Sequence, residues 1–364
     1  MNRQTRFFFF ALRLGALIGT VFGMAAGAAV LDPPLFGAAL GALSGAIEGT
    51  TLMALIGGAE IFLPRTRIGR ALERAPFLVT LAVKLLAYGA VILLVVGGRL
   101  GPRLASYTLG GEFAQAFDEQ VRTRIPAALV VVVDGVFVSF LALVRQLGDL
   151  VGSQRTLRDI VLGRYRRPRT EERFFLFVDI VGSTPLAERL GPASVHGFLD
   201  RVFQIVSDPI DDHEGDVYQY VGDEIVITWT LAGGRSGARP IACYFAVKSA
   251  LELAARDFKR EFDAVPQLRA ALHAGPVITG EVGGRRRAIV FHGDVMNTTS
   301  RLENATRDLG RPFLVSEDAM SHLDGKEAYK AVDLGPQQLR GRAAPVHVYA
   351  VELGAEAQES SARQ

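Results

Sequence analysis

Cysteine is almost missing from this chain: Cys243 is the single one among 364 residues. An internal disulfide framework is thereby excluded, and the chain suits a reducing cytoplasm. Cys243 itself reads as a small buried helix residue. A dominant charge sign is missing too. Lys and Arg number 40 against 38 Asp and Glu, a net charge of +2. That balance singles out no partner, and no nucleic-acid partner is expected. Charge is also scarce in one half. Residues 1–151 are apolar and rich in Gly, Ala, Leu and Val, whereas residues 152–364 carry the charge density of a soluble protein. A chain of this length has room for two or three domains.

Four apolar stretches reach spanning length: Phe7 to Val30, Leu35 to Leu63, Phe77 to Val96, and Ile125 to Val144. A span needs about 20 apolar residues. The first is too long for a cleavable signal, and a second follows at once. Asp32-Pro33-Pro34 makes the first two a hairpin. Arginines set the orientation. Arg65, Arg67, Arg70 and Arg74 lie between spans two and three, and Arg155, Arg158, Arg164, Arg166, Arg167 and Arg169 follow span four. Both clusters, with Arg3 and Arg6, are expected on the cytoplasmic side. The expectation is a four-helix transmembrane domain over 1–151, in contact with membrane lipid, with both termini in the cytoplasm. Lys84 and Asp134 each fall near the middle of a span. An unpaired charge there costs at least about 2.5–3.5 kcal/mol, so the two are expected to pair.

Residues 152–171 read as a cytoplasmic linker helix. Its stripe of Leu157, Ile160 and Val161, continuing Leu147, Leu150 and Val151, suits pairing with a twin in a dimer. Beyond it strands and helices alternate. A strand is expected at 174–178, helices at 183–190 and 194–211, a hairpin at 216–229, and a helix at 237–261. Strands follow at 267–273, 276–282 and 288–292, then a helix at 294–307. The last elements are a strand at 313–315, a short helix at 316–323, and strands at 328–334 and 345–351. This order suits an α/β (α+β) sandwich with a ferredoxin-like core, helices on one face of a mostly antiparallel sheet, over 172–353. Residues 354–364 are small and polar and read as a disordered tail.

Three segments of the second half carry chemistry. Phe174 to Val178 is an apolar run ending in Asp179-Ile180-Val181-Gly182-Ser183-Thr184. It delivers a carboxylate to a strand tip just before a helix N-terminus. Val221-Gly222-Asp223-Glu224 sits between two β-rich flanks and reads as a hairpin turn carrying a second carboxylate. Two carboxylates on neighbouring strand tips suit divalent metal ions, and helix and turn amides suit a polyphosphate. In Gly293-Asp294-Val295-Met296-Asn297-Thr298-Thr299-Ser300-Arg301, Asn297 and Arg301 are four apart and share one helix face. An amide and a guanidinium so placed suit a sugar oxygen and a phosphate. His273 and His292 are lone imidazoles in strand patterns, which ordinary packing explains.

With these motifs in this order, residues 172–352 resemble the catalytic domain of class III nucleotidyl cyclases, which convert a nucleoside triphosphate to a 3′,5′-cyclic monophosphate and pyrophosphate. The resemblance implies that Asp179 and Asp223, with the Ile180 carbonyl, hold two divalent ions, Mg²⁺ or Mn²⁺. It implies amides over Ile180, Gly182, Ser183 and Thr184 for the triphosphate, with Arg269 nearby. Arg340 stands where the family usually has a phosphate-binding lysine. Asn297 would orient the ribose, and Arg301 would stabilise the pentavalent phosphate. It further implies a homodimer whose two active sites are shared: aspartates from one copy, Asn297, Arg301, Arg340 and the base-reading positions from the other.

The base-reading positions depart from the family. Gln219 and Val290 stand where adenylate cyclases commonly have a lysine and an aspartate or threonine, and guanylate cyclases a glutamate and a cysteine. Gln219 can pair with adenine or guanine by flipping its amide. ATP is the expected substrate because most bacterial members of the family use it. The alternatives are a GTP or pyrimidine cyclase and a membrane receptor with an inactive nucleotide-binding domain. A diguanylate cyclase, suggested by Gly222-Asp223-Glu224, is opposed by the Gly293–Arg301 motif.

Overall fold

The computed structural model describes residues 3–30, 34–63, 66–73, 75, 77–97, 135, 164–283 and 288–354. The chain forms two compact units, Met1–Leu150 and Val151–Gln364.

The described part of the first unit is helical: α1 (Arg3–Val30), α2 (Pro34–Phe62), α3 (Arg67–Glu73) and α4 (Phe77–Ile92), with a π-turn over Leu93–Gly97. Helices α1 and α2 touch along two glycine rows of period four. Gly15, Gly19 and Gly23 lie against Gly49, Gly45 and Gly41, and a Cβ at Gly19 would collide with the Gly45 carbonyl. Only hydrogen at these positions lets the backbones meet. Among the described residues α2 alone is long and apolar enough to cross a membrane, over Gly41–Glu60. Of the four expected spans, the described residues thus support one. Within α1, and within α4 and its π-turn, the described apolar stretches are shorter, Leu12–Ala25 and Val79–Val95. Apart from Gly135, the fourth stretch, Asp134 with it, lies outside the described residues, as do most of the expected linker helix and the tail beyond Gly354. Among the described residues Lys84 pairs with Glu60 on α2, at 3.0 Å, and Tyr88 donates to the same carboxylate.

The second unit is built on one sheet. Its strands are β1 (Arg169–Ile180), β2 (Asp216–Val221), β3 (Glu224–Thr230), β4 (Leu268–Val282), β5 (Ala288–His292), β6 (Phe313–Ser316), β7 (Tyr329–Gln337) and β8 (Val346–Leu353). Their order is β2-β3-β1-β4-β6-β8-β7, with β5 also paired to β4. Only β4 and β6 run parallel. Helices α5 (Ser183–Leu190), α6 (Pro192–Asp212), α7 (Leu231–Arg235), α8 (Arg239–Leu253), α9 (Ala255–Phe262), α10 (Asp294–Asp308) and α11 (Glu317–Ser321) complete it.

Both faces of the sheet are covered, not one as expected. Phe174, Leu176, Val178 and Ile180 of β1 pack with Phe198 and Val202 of α6 and Ile241 and Tyr244 of α8. Phe175 and Phe177 pack on the opposite face with Val295 of α10. A central strand buried on both sides reads as a continuous apolar run, which is what Phe174 to Val178 is. Each such large side chain contributes about 1.5–3 kcal/mol on burial. The strand also begins earlier than expected: Arg169 to Glu171 pair with Thr279 to Val277, so the linker ends before residue 169. The two strands expected at 267–273 and 276–282 are one, because Gly275 and Pro276 keep the register opposite Arg173 and Glu172. The helix expected at 237–261 divides at Ala254. Cys243 is fully buried in α8, and burial pushes its thiol above the usual range.

Candidate active site

Alternation along β1 decides where its last carboxylate goes. Phe175, Phe177 and Asp179 share the α10 face, and Asp179 is 7% exposed. Directly across the ladder stands Arg269 of β4. Its Nη2 pairs with Asp179 Oδ2, and its Nε donates to Glu303 Oε1 of α10 at 2.5 Å. One guanidinium is thus gripped by two buried carboxylates. Asp223 occupies the β2–β3 turn, which Gly222 makes possible at φ 65°, and Glu224 opens β3 beside it. Strand β3 pairs with β1 from Val178↔Ile225 inward, so the turn carries Asp223 to the tip where Asp179 lies.

The electrostatics follow from the count of charges. Burial, then hydrogen bonding and repulsion from Asp223, raises the Asp179 carboxyl to about 6 despite Arg269. Burial, then repulsion from Glu303, Asp179 and Asp223, raises Glu224 to about 7. Burial works against the charge of Arg269, but Glu303 and Asp179 outweigh it and raise its pKa. Four carboxylates therefore share one internal cation. Asp179 Oδ2 is buried beside that cation, yet among the described residues no donor reaches it with hydrogen-bond geometry. A hard divalent cation fits such an oxygen set. Among the described residues no group of three or more His, Cys, Asp or Glu is placed to hold a metal. Asp179 and Asp223 would therefore hold it with oxygens from the backbone and the substrate. The Ile180 side chain is buried in the core, so its carbonyl is the only group it could offer.

Gly182 follows at φ 74°, ψ 24° and turns the chain into α5. The Val181 amide is spent on Gln267 O at 2.8 Å, and no side chain caps the helix. The amides of Ser183 and Thr184 thus remain for an anion.

A second group assembles on the other face of α10. Helix positions 200° apart separate Arg301 from Glu303, so Asn297 and Arg301 point away from the carboxylates. Arg301 Nη1 donates to Gly341 O at 3.2 Å. The same loop is tied down by Arg342, whose Nη1 donates to Thr298 Oγ1 and lies 3.4 Å from Asp294 Oδ2. Exposed Arg340 immediately precedes Gly341 in this loop. Among the described residues no hydrogen bond or ion pair joins Asn297, Arg301 or Arg340 to Asp179 or Asp223. Gln219 lies exposed just past a bulge in β2, and Val290 is half-buried on β5 opposite Gly280. Their chain neighbours Tyr218 and Phe291 touch, with ring centroids 4.8 Å apart.

His273 is buried with Nδ1 2.7 Å from Ser316 Oγ; burial lowers it to about 4, so it is a neutral packing residue. His292 is exposed at its strand end, not packed. The motifs legible in the sequence do not include Glu303, although it stands two residues after Arg301, and they give Glu224 no role beside Asp223.

The model of the adenylate and guanylate cyclase catalytic domain matches residues 166–352, half of the chain. The chain belongs to this family. Adenylate cyclase 2 of Rhizobium meliloti is 38% identical over 201 residues, which cover 54% of this chain and 55% of that protein. Guanylate cyclase 2D of Rattus norvegicus is 31% identical over 177 residues, 46% of this chain and 15% of that protein. The chain thus spans about half or less of the curated relatives it matches. The structure of a bacterial light-regulated adenylyl cyclase superposes with a TM-score of 0.51 at 19% identity, covering 63% of this chain and 68% of that one, and shares the cyclase fold.

Proposed function

We propose that this cyclase-family chain converts ATP to 3′,5′-cyclic AMP and pyrophosphate at two sites shared between two copies. The observation that carries the proposal is the division of one chain into a carboxylate group around Asp179 and a separate Asn297–Arg301–Gly341 group. The ribose 3′-oxygen bonds to the α-phosphorus as the bond from phosphorus to the bridging oxygen breaks; the 3′-hydroxyl proton passes to solvent, and pyrophosphate leaves on the bridging oxygen. Asp179 and Asp223 would hold two divalent ions, Mg²⁺ or Mn²⁺. Bound there, such ions supply charge neutralisation to the triphosphate and lower the pKa of the 3′-hydroxyl. The α5 amides and Arg269 bind the phosphate chain. Asn297 orients the ribose, Arg301 meets charge growing on the α-phosphate, and Arg340 meets the terminal phosphates. Gln219 reads the base edge, with Val290 shaping the pocket. The adenylate cyclases among the relatives favour ATP. We further propose that the first unit anchors the chain in the cytoplasmic membrane with the cyclase unit on the cytoplasmic side, for which the apolar α2 and the arginine clusters speak.

The test is to supply the purified full chain with each of the four ribonucleoside triphosphates and Mg²⁺ or Mn²⁺, and to identify products by mass. Cyclic AMP as the main product, lost in Asp179→Ala and Arg301→Ala, is the expected result. A chain that binds ATP and turns over none of the four triphosphates is a receptor, and the proposal fails.

A further inference from the structure

The guanidinium of Arg269 and a metal ion need the same oxygen. Arg269 Nη2 pairs with Asp179 Oδ2, and among the described residues the only other carboxylate on that guanidinium is Glu303, held through Nε at 2.5 Å. The Glu303 side chain is 6% exposed and that of Arg269 17%. Val295, Thr298, Thr299, Leu302 and Thr306 of the same helix are buried, so Glu303 is fixed in place by the packing of α10. An immobile carboxylate on one edge of a guanidinium sets how firmly its other edge can hold a second carboxylate. With Glu303 charged, part of the Arg269 charge is already spent, and its grip on Asp179 is looser.

We propose that Glu303 is a positioning residue of the cyclase site, holding Arg269 so that Asp179 stays available to a divalent cation. The proposal rests on the cyclase reading for the identity of the metal ligands. It places Glu303 one step behind the reacting groups, acting through Arg269. Its consequences for binding have opposite signs. Taking the charge from Glu303 leaves Arg269 to Asp179 alone, which strengthens the competitor and weakens metal binding. Taking the charge from Arg269 removes the competitor and tightens metal binding. If Glu303 acts through Arg269, its effect disappears when Arg269 is already neutral.

The experiment is a double-mutant cycle on the full chain, with Mn²⁺ affinity read from the paramagnetic resonance signal of free Mn²⁺, without nucleotide. Asp179→Ala serves as the reference for the site: loss of the tight Mn²⁺ there upholds the metal assignment independently of Glu303. Glu303→Gln, which keeps an acceptor for Nε, is expected to weaken Mn²⁺ by about threefold or more, as residues of one ion-pair network do. Arg269→Gln is expected to tighten it, and Glu303→Gln is expected to change nothing further in the Arg269→Gln background. An equal loss in both backgrounds, or unchanged Mn²⁺ affinity with only a lower melting temperature in Glu303→Gln, overturns the proposal. Should Glu303→Gln not fold, Arg269→Gln decides alone: weaker Mn²⁺ binding in that variant refutes the competition.

Discussion

Asp179→Asn is expected to abolish turnover and, in chelator, to make the cyclase unit more stable. The carboxyl of Asp179 lies at about 6 in the fold against an ordinary 3.8. The folded state therefore binds more protons than the unfolded chain between those two values, and stability falls as pH rises through that window. Above pH 6 the destabilisation is complete. A carboxyl raised that far costs the charged fold about 3 kcal/mol without screening. Solvent and counter-ions at the strand tip reduce this to about 1–2 kcal/mol. For a unit of this size that is a rise of about 2–8 °C in melting temperature at pH 7.5. Arg269 does not become an orphan, because Glu303 keeps it paired. Relief of Glu224, which Asp179 also pushes up, adds in the same direction.

The probe for this experiment is built in. Trp229 is the single tryptophan, it is 1% exposed in the cyclase core, and its Nε1 donates to His213 O at 2.9 Å. Its fluorescence reports unfolding of this unit even in the full chain. With chelator, the gain of Asp179→Asn over wild type is expected at pH 7.5 and is expected to vanish near pH 4, where the wild-type carboxyl is protonated. Saturating Mn²⁺ should reverse the order, since only the wild type gains binding energy. A loss of stability at pH 7.5 in chelator, or a gain of equal size at pH 4 and 7.5, would refute the reasoning.

Other outcomes follow from the same geometry. Asp179→Ala and Arg301→Ala chains are each expected to be inactive, and verified mixed dimers to regain part of the activity, because one of two shared sites is then whole; mixed dimers without activity argue against sharing. Gln219→Lys with Val290→Asp is expected to sharpen the preference for ATP over GTP, measured as the ratio of kcat/KM. One hydrogen bond is worth about 0.5–1.5 kcal/mol, a several-fold change, and an unchanged ratio in folded protein would remove both positions from base reading. Gly19→Leu is expected to separate α1 from α2 at a cost of about 1–3 kcal/mol. It should lower the helix melt seen by circular dichroism and leave the Trp229 transition where it was; unchanged melting would show that the glycine rows do not hold the pair.

The candidate site residues legible in the sequence are those whose signal is local. Asp179 ends an apolar run, Asp223 follows a glycine in a turn, and Asn297 and Arg301 lie four apart on a helix. Each can be read within about ten residues. The positions missed depend on partners far along the chain. Glu303 matters because α10 lays it on β4 beside Arg269, 34 residues away. Lys84 finds Glu60, 24 residues before it on another helix. Arg342 fastens the Arg340 loop to Thr298, 44 residues upstream. Gly15, Gly19, Gly23, Gly41, Gly45 and Gly49 stand at a spacing of four, a packing signal read only as composition. The continuous apolar run of β1 is itself a mark of burial on both faces, yet helices were expected on one.

Helix α10 explains why the site needs two copies under the cyclase reading. Its inner face is fixed by Val295, Thr298, Thr299, Leu302 and Glu303, all buried. Arg301 lies 200° from Glu303 by helical geometry. Bringing Arg301 to the phosphorus beside its own Asp179 would mean rotating the helix by about half a turn, exposing those side chains and leaving Arg269 without Glu303. Burial of Val295 and Leu302 alone is worth about 3–6 kcal/mol against that rotation. A second copy presenting its own outward Asn297 and Arg301 to the first copy's carboxylates requires no such movement. Under the proposed shared-site reading, the packing that fixes Glu303 beside Arg269 also turns Arg301 toward a neighbouring copy.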